Sequence, residues 1–324
     1  MPELPEVETI KRGLDSLIVG KTIKSITIQN AKSFIGDPAR ATNHQVKSLS
    51  RRGKALLVHL SDDLTFIIHL RMTGQVIYVP QEQSTERKRS HQAVSAGKTW
   101  ASTSERTHKL LDGGSGTTTL ARFGGGHPTD SFLNSLPDRH TRVQVTFTDN
   151  SDLFFNDQRK FGFVKLIPTP EIDKEPFFAK LGPDSLDLKL TPDQFHQNLQ
   201  KHPGATIKAA LLDQTVIAGV GNIYADEALF YAKIHPARRV ATITEQESAE
   251  LLDGIRHSMQ ASLDSGGSTM TNYVRADGTR GDYLDLFAQV FGKTGQPCSR
   301  CQTPIEKTRV AGRGTHLCPN CQKL

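Results

Sequence analysis

The sequence predicts an α+β multidomain fold: an N-terminal helix with an antiparallel β-sandwich, then a helical domain, then a small cysteine-bearing hairpin. Three observations support this. Short segments rich in β-branched residues fill the first half of the chain, and a helical pattern replaces them after about residue 168. All 4 cysteines lie near the end of the sequence. The 324 residues are enough for two or three domains of roughly 100–200 residues each.

The first predicted element is an amphipathic helix over residues 3–17. Val7, Ile10, Leu14 and Leu17 recur at the spacing of one helical face. The strand-like segments that follow are short and bounded by turn residues, and they cover 22–28, 55–60, 64–70, 75–79, 142–148, 152–155 and 161–167. Together these elements predict a first domain over residues 1–168.

A segment of about residues 81–136 interrupts the strand pattern. It is rich in serine, threonine, glycine and basic residues, and it has no sustained periodicity. We interpret it as a long inserted loop within the first domain. A solvated spacer is its simplest role, although its basic residues also allow contact with a nucleic acid.

Residues 169–288 have a helical pattern and form the second predicted domain. Its helix starts are predicted from capping residues and from proline at the first helical position. They fall at Thr191-Pro192, Ile207, Asn222 and Thr244. The last of these helices ends at Gly266-Gly267, and a glycine-rich loop to Tyr283 follows it.

Residues 289–324 form the third predicted domain, a zinc ribbon. Cys298 and Cys301 make one pair with two residues between them, and Cys318 and Cys321 make a second such pair. Four thiolates at this spacing close a tetrahedral zinc shell on a β-hairpin. Because sulfur fills every position of the shell, we expect one structural zinc ion and not a catalytic one. The clustering of the cysteines also argues against a secreted disulfide framework.

The charge and the hydropathy of the sequence limit the kinds of partner that the protein can have. The formal net charge is +6 and the isoelectric point is about 9.1, which suits a polyanionic partner such as DNA. No apolar run approaches the roughly 20 residues of a membrane span, and no signal peptide is recognisable. We therefore expect a protein that does not act in the membrane and that is cytoplasmic.

The N-terminal residues offer a nucleophile. If Met1 is removed, Pro2 carries a secondary amine, whose pKa of about 8 leaves more of it neutral at pH 7 than a lysine. Such an amine forms an iminium with an aldehydic sugar carbon. Glu3 lies beside it and can act as a general acid or base. Proline and glutamate are also common in the first turn of any helix, so these residues alone do not establish the chemistry.

Seven motifs occur in one order along the chain: MPELPEVET at the start, RRGKALL around Lys54, HLRMTG at 69–74, QRKFG at 158–162, AGVGNIYADEALF at 218–230, GGST at 266–269 and GRGTHLCPNCQ in the ribbon. This set resembles the bacterial formamidopyrimidine-DNA glycosylases, and the opening motif resembles the branch that acts on oxidised purines. The resemblance covers nearly the whole chain except about 81–136. It implies a helix-two-turn-helix domain after the sandwich and removal of oxidised purines from duplex DNA.

The resemblance also implies roles for individual residues. Four match catalytic positions: Pro2 as the nucleophile, Glu3 as the acid and base, and Lys54 and Arg313 as residues that assist β- and δ-elimination. Seven match DNA contacts: His69, Lys208 and Asn222 at phosphates, Met72, Arg159 and Phe161 in the gap left by the extruded nucleotide, and His140. Residues 266–283 match a loop that covers the flipped base.

The sequence departs from the family pattern at Pro203 and Gly204, where relatives tend to be basic, so one backbone contact to DNA is in doubt. The predicted loop also ends just before His140, which makes that match less secure. Two alternatives stay open: a glycosylase for oxidised pyrimidines of the endonuclease VIII type, and a damaged-DNA-binding protein without catalysis. We expect a monomer that works on damaged double-stranded DNA in the bacterial nucleoid, without an obligate protein partner.

Overall fold

The computed structural model describes residues 2–81, 122–127, 135–266 and 283–324. Its N-terminal part contains helix α1 (Leu4–Ile18) and strands β1 to β10. The strands are β1 Ile23–Ile28, β2 Phe34–Ile35, β3 Val46–Arg52, β4 Ala55–Leu60, β5 Leu64–His69, β6 Gly74–Val79, β7 Phe123–Gly126, β8 Thr141–Phe147, β9 Asp152–Asp157 and β10 Phe163–Pro168. Within the described residues no helix has both the length and the apolar character of a bilayer span.

The strands form two five-stranded sheets, with the orders β1-β8-β9-β6-β7 and β2-β10-β5-β4-β3. Side chains from both inner faces and from α1 form one apolar core between the sheets. Val7, Ile10 and Leu14 of α1 belong to that core, as their spacing predicts. The predicted α+β class and antiparallel sandwich are confirmed, except that the short strand β2 pairs in parallel with β10.

One strand lies inside the segment that we expected to be a loop. Phe123–Gly126 forms β7, which pairs with β6 at the edge of the first sheet. Phe123 packs so closely on α1 that a Cβ at Gly13 would lie 1.9 Å from its ring. Three consecutive glycines have a low strand propensity, so the tertiary partner and not the local sequence makes this strand. The interpretation of 81–136 as entirely loop is therefore wrong at residues 123–126, and residues 82–121 and 128–134 lie outside the described part.

The helical part contains α2 Pro176–Ala179, α3 Pro192–Gln200, α4 Ile207–Leu212, α5 Asn222–Tyr231, α6 Glu245–Asp264 and α7 Tyr283–Leu286. The predicted starts of α3 to α6 are correct. Thr191 and Thr244 cap α3 and α6, each through a capping box. The α6 helix ends at Asp264, before the predicted glycine pair, and Gly267 lies outside the described residues. A separate apolar core holds α3 to α7 together, while Phe178 of α2 packs with Leu57 and Ile67 of the sandwich.

A two-stranded hairpin of β11 Glu306–Val310 and β12 Arg313–Leu317 completes the described fold. Contacts of Leu4 and of Arg51 help to join the sandwich to the helices. Leu4, at the start of α1, belongs to the core of the helical part, while the rest of α1 packs on the sheets. Arg51 of β3 pairs with Glu8 of α1 at 3.2 Å and with Asp184, which lies between α2 and α3, at 2.7 Å. The start of α1 is therefore fixed at the junction of both parts.

Candidate active site and nucleic-acid interface

The carboxylate of Glu3 lies against the N-terminus of α5. Its Oε1 accepts a hydrogen bond from the backbone N–H of Ile223 at 2.9 Å, and its Oε2 accepts one from that of Tyr224 at 3.4 Å. The first N–H groups of a helix have no partner within the helix and carry partial positive charge. Glu3 satisfies two of them, so α5 holds this carboxylate in one orientation.

Two glycines before α5 make room for this contact. A Cβ at Gly221 would lie 2.3 Å from Cδ of Glu3, and a Cβ at Gly219 would lie 2.4 Å from Cδ1 of Leu4. Gly219 also has a φ of +100°, which other residues rarely adopt. The glycines of the AGVGN motif are therefore explained by the close approach of α1 to the start of α5.

Lys54 lies beside Glu3 at the start of α5. It lies directly after Gly53 in the turn between β3 and β4, and its Nζ donates to the carbonyl oxygen of Val220 at 2.8 Å. Burial lowers the pKa of Lys54, although Glu3 and Glu6 oppose the shift. Burial also raises the pKa of Glu3 to about 7, against the effect of the Lys54 charge. A carboxyl group with this pKa exchanges its proton near neutral pH, as a general acid and base requires.

A buried network that our sequence analysis did not single out supports Glu3. Glu6 accepts a hydrogen bond from the backbone N–H of Glu3 at 2.7 Å and another from the hydroxyl group of Tyr224 at 2.8 Å. That hydroxyl group lies 2.6 Å from Oγ of Ser262 in the last turns of α6. The capping-box spacing of Glu3 and Glu6 could have indicated the first contact. The contacts to α5 and α6 depend on the tertiary fold.

Pro2 and Arg313 complete the predicted catalytic set. Pro2 is buried, and it directly precedes Glu3, the capping residue of α1. Arg313 is exposed at the start of β12, after a turn in which Ala311 and Gly312 have positive φ angles. The charge of Arg313 contributes to the lowered pKa of Lys54, so the two cations are close enough to interact.

Met72, Arg159 and Phe161 form one exposed cluster, although two separate turns carry them. The guanidinium group of Arg159 donates to Sδ of Met72 at 3.3 Å and lies 4.8 Å from the ring centre of Phe161. Met72 is 38% exposed and Phe161 is 55% exposed. Apolar side chains with this exposure, next to a cation, suit insertion into a base stack.

Asp157 holds the two turns together. Its buried carboxylate accepts hydrogen bonds from the hydroxyl group of Thr73, from the backbone N–H of Arg159 at 3.1 Å and from that of Gly162 at 2.7 Å. Thr73 follows Met72, so this single carboxylate sets the relative position of all three exposed side chains. We did not predict a role for Asp157, and the sequence contains no local pattern that indicates one.

His69 and His140 lie at the same end of the sandwich. Nδ1 of His69 accepts a hydrogen bond from the backbone N–H of Arg71 at 3.1 Å, which leaves the ring proton on Nε2. Burial, with the charges of Arg71 and Lys54, lowers the pKa of His69 to about 3, so the ring is a neutral donor at pH 7. His140 is partly exposed, and its carbonyl oxygen accepts from the backbone N–H of Asp157 at 2.9 Å.

Asn222 and Lys208 face the hairpin. Nδ2 of Asn222 donates to the carbonyl oxygen of Gly314 at 3.0 Å, while its buried Oδ1 has no hydrogen-bond partner in the described residues. Nζ of Lys208 donates to Asp226 at 2.6 Å, to the carbonyl oxygen of Gly314 at 3.0 Å and to Thr315 at 2.8 Å. Lys208 has no exposed surface, so the structure does not bring it to the surface as a phosphate contact would require.

The four cysteines fit a zinc ion. Their sulfur atoms all lie within 4.8 Å of one another, and Sγ of Cys298 is 3.9 Å from Sγ of Cys321. A tetrahedral shell with Zn–S bonds of about 2.3 Å places its sulfurs about 3.8 Å apart. Backbone N–H groups of Arg300 and Cys321 point at the sulfurs of Cys298 and Cys318 and would stabilise thiolates. The predicted loop over residues 266–283 lies almost wholly outside the described residues.

Three family models match the chain. They are the formamidopyrimidine-DNA glycosylase N-terminal domain over residues 1–112, the H2TH domain of the same enzymes over residues 181–274, and a zinc finger found in FPG and IleRS over residues 295–324. The first match covers α1 and strands β1 to β6, the second covers helices α3 to α6, and the third covers the hairpin. The zinc finger match and the four-cysteine cluster together confirm the predicted structural zinc.

Full-length relatives agree with the models. Formamidopyrimidine-DNA glycosylase of Ligilactobacillus salivarius is 35% identical over 326 residues, which cover 99% of each chain. The Streptococcus pneumoniae protein of that name is 37% identical over 327 residues, covering 100% of this chain and 99% of its own.

Similar solved structures come from Lactococcus lactis. Its Fpg protein in complex with DNA that contains an abasic site has a TM-score of 0.77 and 31% identity over all of both chains. A mutant of that protein with Fapy-dG in its DNA has the same TM-score and identity. A complex of the wild type with DNA that contains an oxidised pyrimidine has a TM-score of 0.76 and 32% identity. The chain therefore belongs to the formamidopyrimidine-DNA glycosylase family and is a DNA glycosylase of base excision repair.

Proposed function

We propose that this glycosylase removes oxidised purines, namely 8-oxoguanine and formamidopyrimidines, from duplex DNA and then cleaves the strand at the abasic site. The single observation that carries the proposal is the environment of Glu3. Its carboxylate is held by the N-terminus of α5, has a pKa of about 7 and directly follows Pro2. A buried and oriented carboxyl group whose pKa lies near neutrality is a candidate for a catalytic acid and base.

Pro2 acts as the nucleophile once Met1 is removed. Its amine nitrogen attacks C1′ of the damaged nucleotide, the glycosidic electrons leave with the base, and an iminium forms between Pro2 and the opened sugar. Glu3 transfers the protons that sugar opening and base departure require. Loss of a C2′ proton then expels the 3′ phosphate in β-elimination, and a second elimination expels the 5′ phosphate. Lys54 assists the first elimination and Arg313 the second.

The remaining predicted residues hold the DNA. A glycosylase must extrude its target nucleotide at a cost of a few kcal/mol, and side chains that fill the gap reduce that cost. Met72, Arg159 and Phe161 fill it, and their joint exposure supports this role. His69, His140 and Asn222 contact the backbone. The predicted phosphate contact of Lys208 requires that its ammonium group leaves its buried position, so we consider another role for it below.

Zinc bound by Cys298, Cys301, Cys318 and Cys321 holds the hairpin that carries Arg313, and the ion takes no part in proton or electron transfer. We propose that the enzyme acts as a monomer on damaged DNA in the bacterial cytoplasm, within the nucleoid. The domain limits 1–168, 169–288 and 289–324 remain our proposal, with the loop shortened by the strand at 123–126.

The experiment is covalent trapping. Purified protein is incubated with a duplex that contains one 8-oxoguanine opposite cytosine, borohydride is added, and mass spectrometry locates the attachment. We expect an adduct on Pro2. Pro2→Gly and Glu3→Gln should abolish excision while DNA binding remains measurable. Pro5→Ala is the matched control, because Pro5 lies nearby in the first turn of α1 and offers no amine.

Full excision by both site variants would contradict the assignment of Pro2 and Glu3. Tight binding without an adduct would indicate a retained Met1 or a different lesion, which intact mass and a second duplex separate. The second duplex carries thymine glycol, because a similar Lactococcus structure contains an oxidised pyrimidine. Binding of every duplex without any cleavage, by protein of the processed mass, would favour a non-catalytic damaged-DNA-binding protein.

A further inference from the structure

The hairpin that carries Arg313 has few apolar contacts of its own. Every residue of β11 except Val310 is exposed, and Arg313 and Gly314 are exposed as well. A two-stranded hairpin is marginally stable by itself in water. The zinc ion fixes the cysteine end of the module, but Arg313 lies at the opposite end, next to the turn. Another feature must therefore set the position of this end.

A polar cluster after Arg313 has the required geometry. The backbone N–H of His316 donates to Oδ2 of Asp226 at 2.9 Å, and Nζ of Lys208 donates to the Gly314 carbonyl at 3.0 Å and to Thr315 at 2.8 Å. Lys208 and Asp226 are joined at 2.6 Å, and neither side chain has exposed surface. The three residues that follow Arg313 are thus each held by one buried ion pair.

Asp226 lies on α5, the helix that also holds Glu3. Ile223 and Tyr224 of α5 donate to Glu3, and Asp226 is in the next turn. One rigid helix therefore determines the distance between the predicted acid of the site and the strand that begins with Arg313. Neither Asp226 nor Lys208 needs to touch DNA for this.

We propose that Asp226, paired with Lys208, is a positioning residue that places Arg313 for δ-elimination. Asp226 orients the hairpin through His316 and keeps Lys208 on Gly314 and Thr315. The inference rests on the roles proposed above for Pro2 and Arg313. It gives Lys208 an internal role in place of the predicted phosphate contact.

The test uses the full-length zinc-loaded protein and a duplex with a preformed abasic site, so that base excision is bypassed. Three quantities are measured for each variant: borohydride-trapped adduct, total strand cleavage, and the ratio of δ- to β-elimination product. We expect Asp226→Ala to retain trapping and to lower this ratio on the order of 10- to 100-fold, because a displacement of about 1 Å at a reacting group has an effect of this size. A variant that was only less stable would lose both products in proportion.

A double-mutant cycle shows whether Asp226 acts through Arg313. Arg313→Ala should lower the same ratio, and Asp226→Ala combined with Arg313→Ala should lower it no further, since coupled residues are not additive. Glu227→Gln is the matched control. Glu227 is the neighbouring buried acid of α5, but it holds the backbone of residues 289–291 and not the strand of Arg313.

Asp226→Asn replaces the alanine variant in this test if the alanine variant does not fold. The side-chain oxygen of the asparagine can still accept the hydrogen bond from the backbone N–H of His316, but the negative charge opposite Lys208 is lost. An unchanged ratio in a folded Asp226 variant, or an additive loss in the double variant, would overturn the proposal. An equal fall in the ratio for Glu227→Gln would overturn it too, because any disturbance of α5 would then suffice. Absence of trapping in the unmodified protein would instead refute the function proposed for Pro2.

Discussion

Burial and neighbouring positive groups have opposite effects on the pKa of Glu3. Burial disfavours its charged form, whereas Lys54 and the N–H group of Ile223 favour that form. Burial is the larger effect, and the pKa of Glu3 rises to about 7 from an ordinary value of 4.5. The folded protein therefore binds this proton more tightly than the unfolded chain does. The stabilisation from Glu3 is fully present below pH 4.5 and is lost as the pH rises to about 7.

Because the stabilisation from Glu3 is lost as the pH rises, we predict that the effect of Glu3→Gln on stability depends on pH. The free energy of unfolding of the variant, minus that of the unmodified protein, should increase by up to about 3 kcal/mol between pH 4.5 and pH 7.5, since one pKa unit corresponds to about 1.4 kcal/mol. Urea denaturation at a series of pH values measures this difference. Parallel curves for the two proteins would mean that Glu3 titrates as in the unfolded chain.

Glu8 on the same helix is the control for this measurement. Burial alone would raise the pKa of Glu8. A hydrogen bond from Arg12 and the charge of Arg51 outweigh burial and hold this pKa below its usual value. Its stabilisation is present above the unfolded pKa and is lost as the pH falls. For Glu8→Gln, the free energy of unfolding of the variant minus that of the unmodified protein should therefore decrease as the pH rises, mainly in the acidic range.

The start of α5 is the structural element on which the site depends. Its first N–H groups bind Glu3, its second turn carries Asp226, and Val220 just before it accepts from Lys54. The contact of Glu3 with α5 could not form if the backbone of α1 were farther away. Gly221 permits the approach, because any Cβ there would overlap Glu3.

We predict that Gly221→Ala lowers stability by about 1–3 kcal/mol, the usual cost of overpacking, and reduces base excision more than DNA binding. Denaturation midpoints and excision of 8-oxoguanine under single-turnover conditions measure the two effects. Gly204→Ala is the control, since a Cβ there meets no atom within 4 Å. If the Gly221 and Gly204 variants behaved alike, the approach of α1 to α5 would not be what limits this position.

At the scale of the whole molecule, the apolar cores of the sandwich, the helices and the zinc module are joined by a few defined contacts. The sandwich and the helices have their own apolar cores, joined by Leu4 and by the ion pairs of Arg51. The core of the zinc module is much smaller, and two of its members, Cys298 and Cys318, are zinc ligands. Zinc binding of about 10–16 kcal/mol is as large as the total stability of a typical domain, so this module depends on its metal.

Removal of zinc by a chelator should therefore have a local effect. We expect hydrogen exchange to lose protection in residues 295–324 and to keep it in β4, β5 and β9, while the ratio of δ- to β-elimination product falls. Return of zinc should restore both the protection and this ratio. Loss of protection in the sheets as well would show that the module is an integral part of the fold, and unchanged protection would show that the cysteines do not need the metal.

The sequence by itself determined the features that depend on neighbouring residues. The face of α1, the helix cap at Thr191, the capping box at Thr244 and the spacing of the zinc cysteines are all set within a few residues, and the structure agrees with each. The ordered motifs also indicated the family, although the role of each single site residue is still a prediction.

Only the tertiary structure decided what distant segments do to each other. The backbone groups of α5 that hold the Glu3 carboxylate lie 220 and 221 residues along the chain, and Lys208 contacts a hairpin residue 106 positions away. Strand β7 forms because it pairs with β6 and packs on α1. Periodicity and capping describe the chain over one or two turns. Burial, pKa shifts and ion pairs depend on which surfaces pack together, and that is settled by the whole fold.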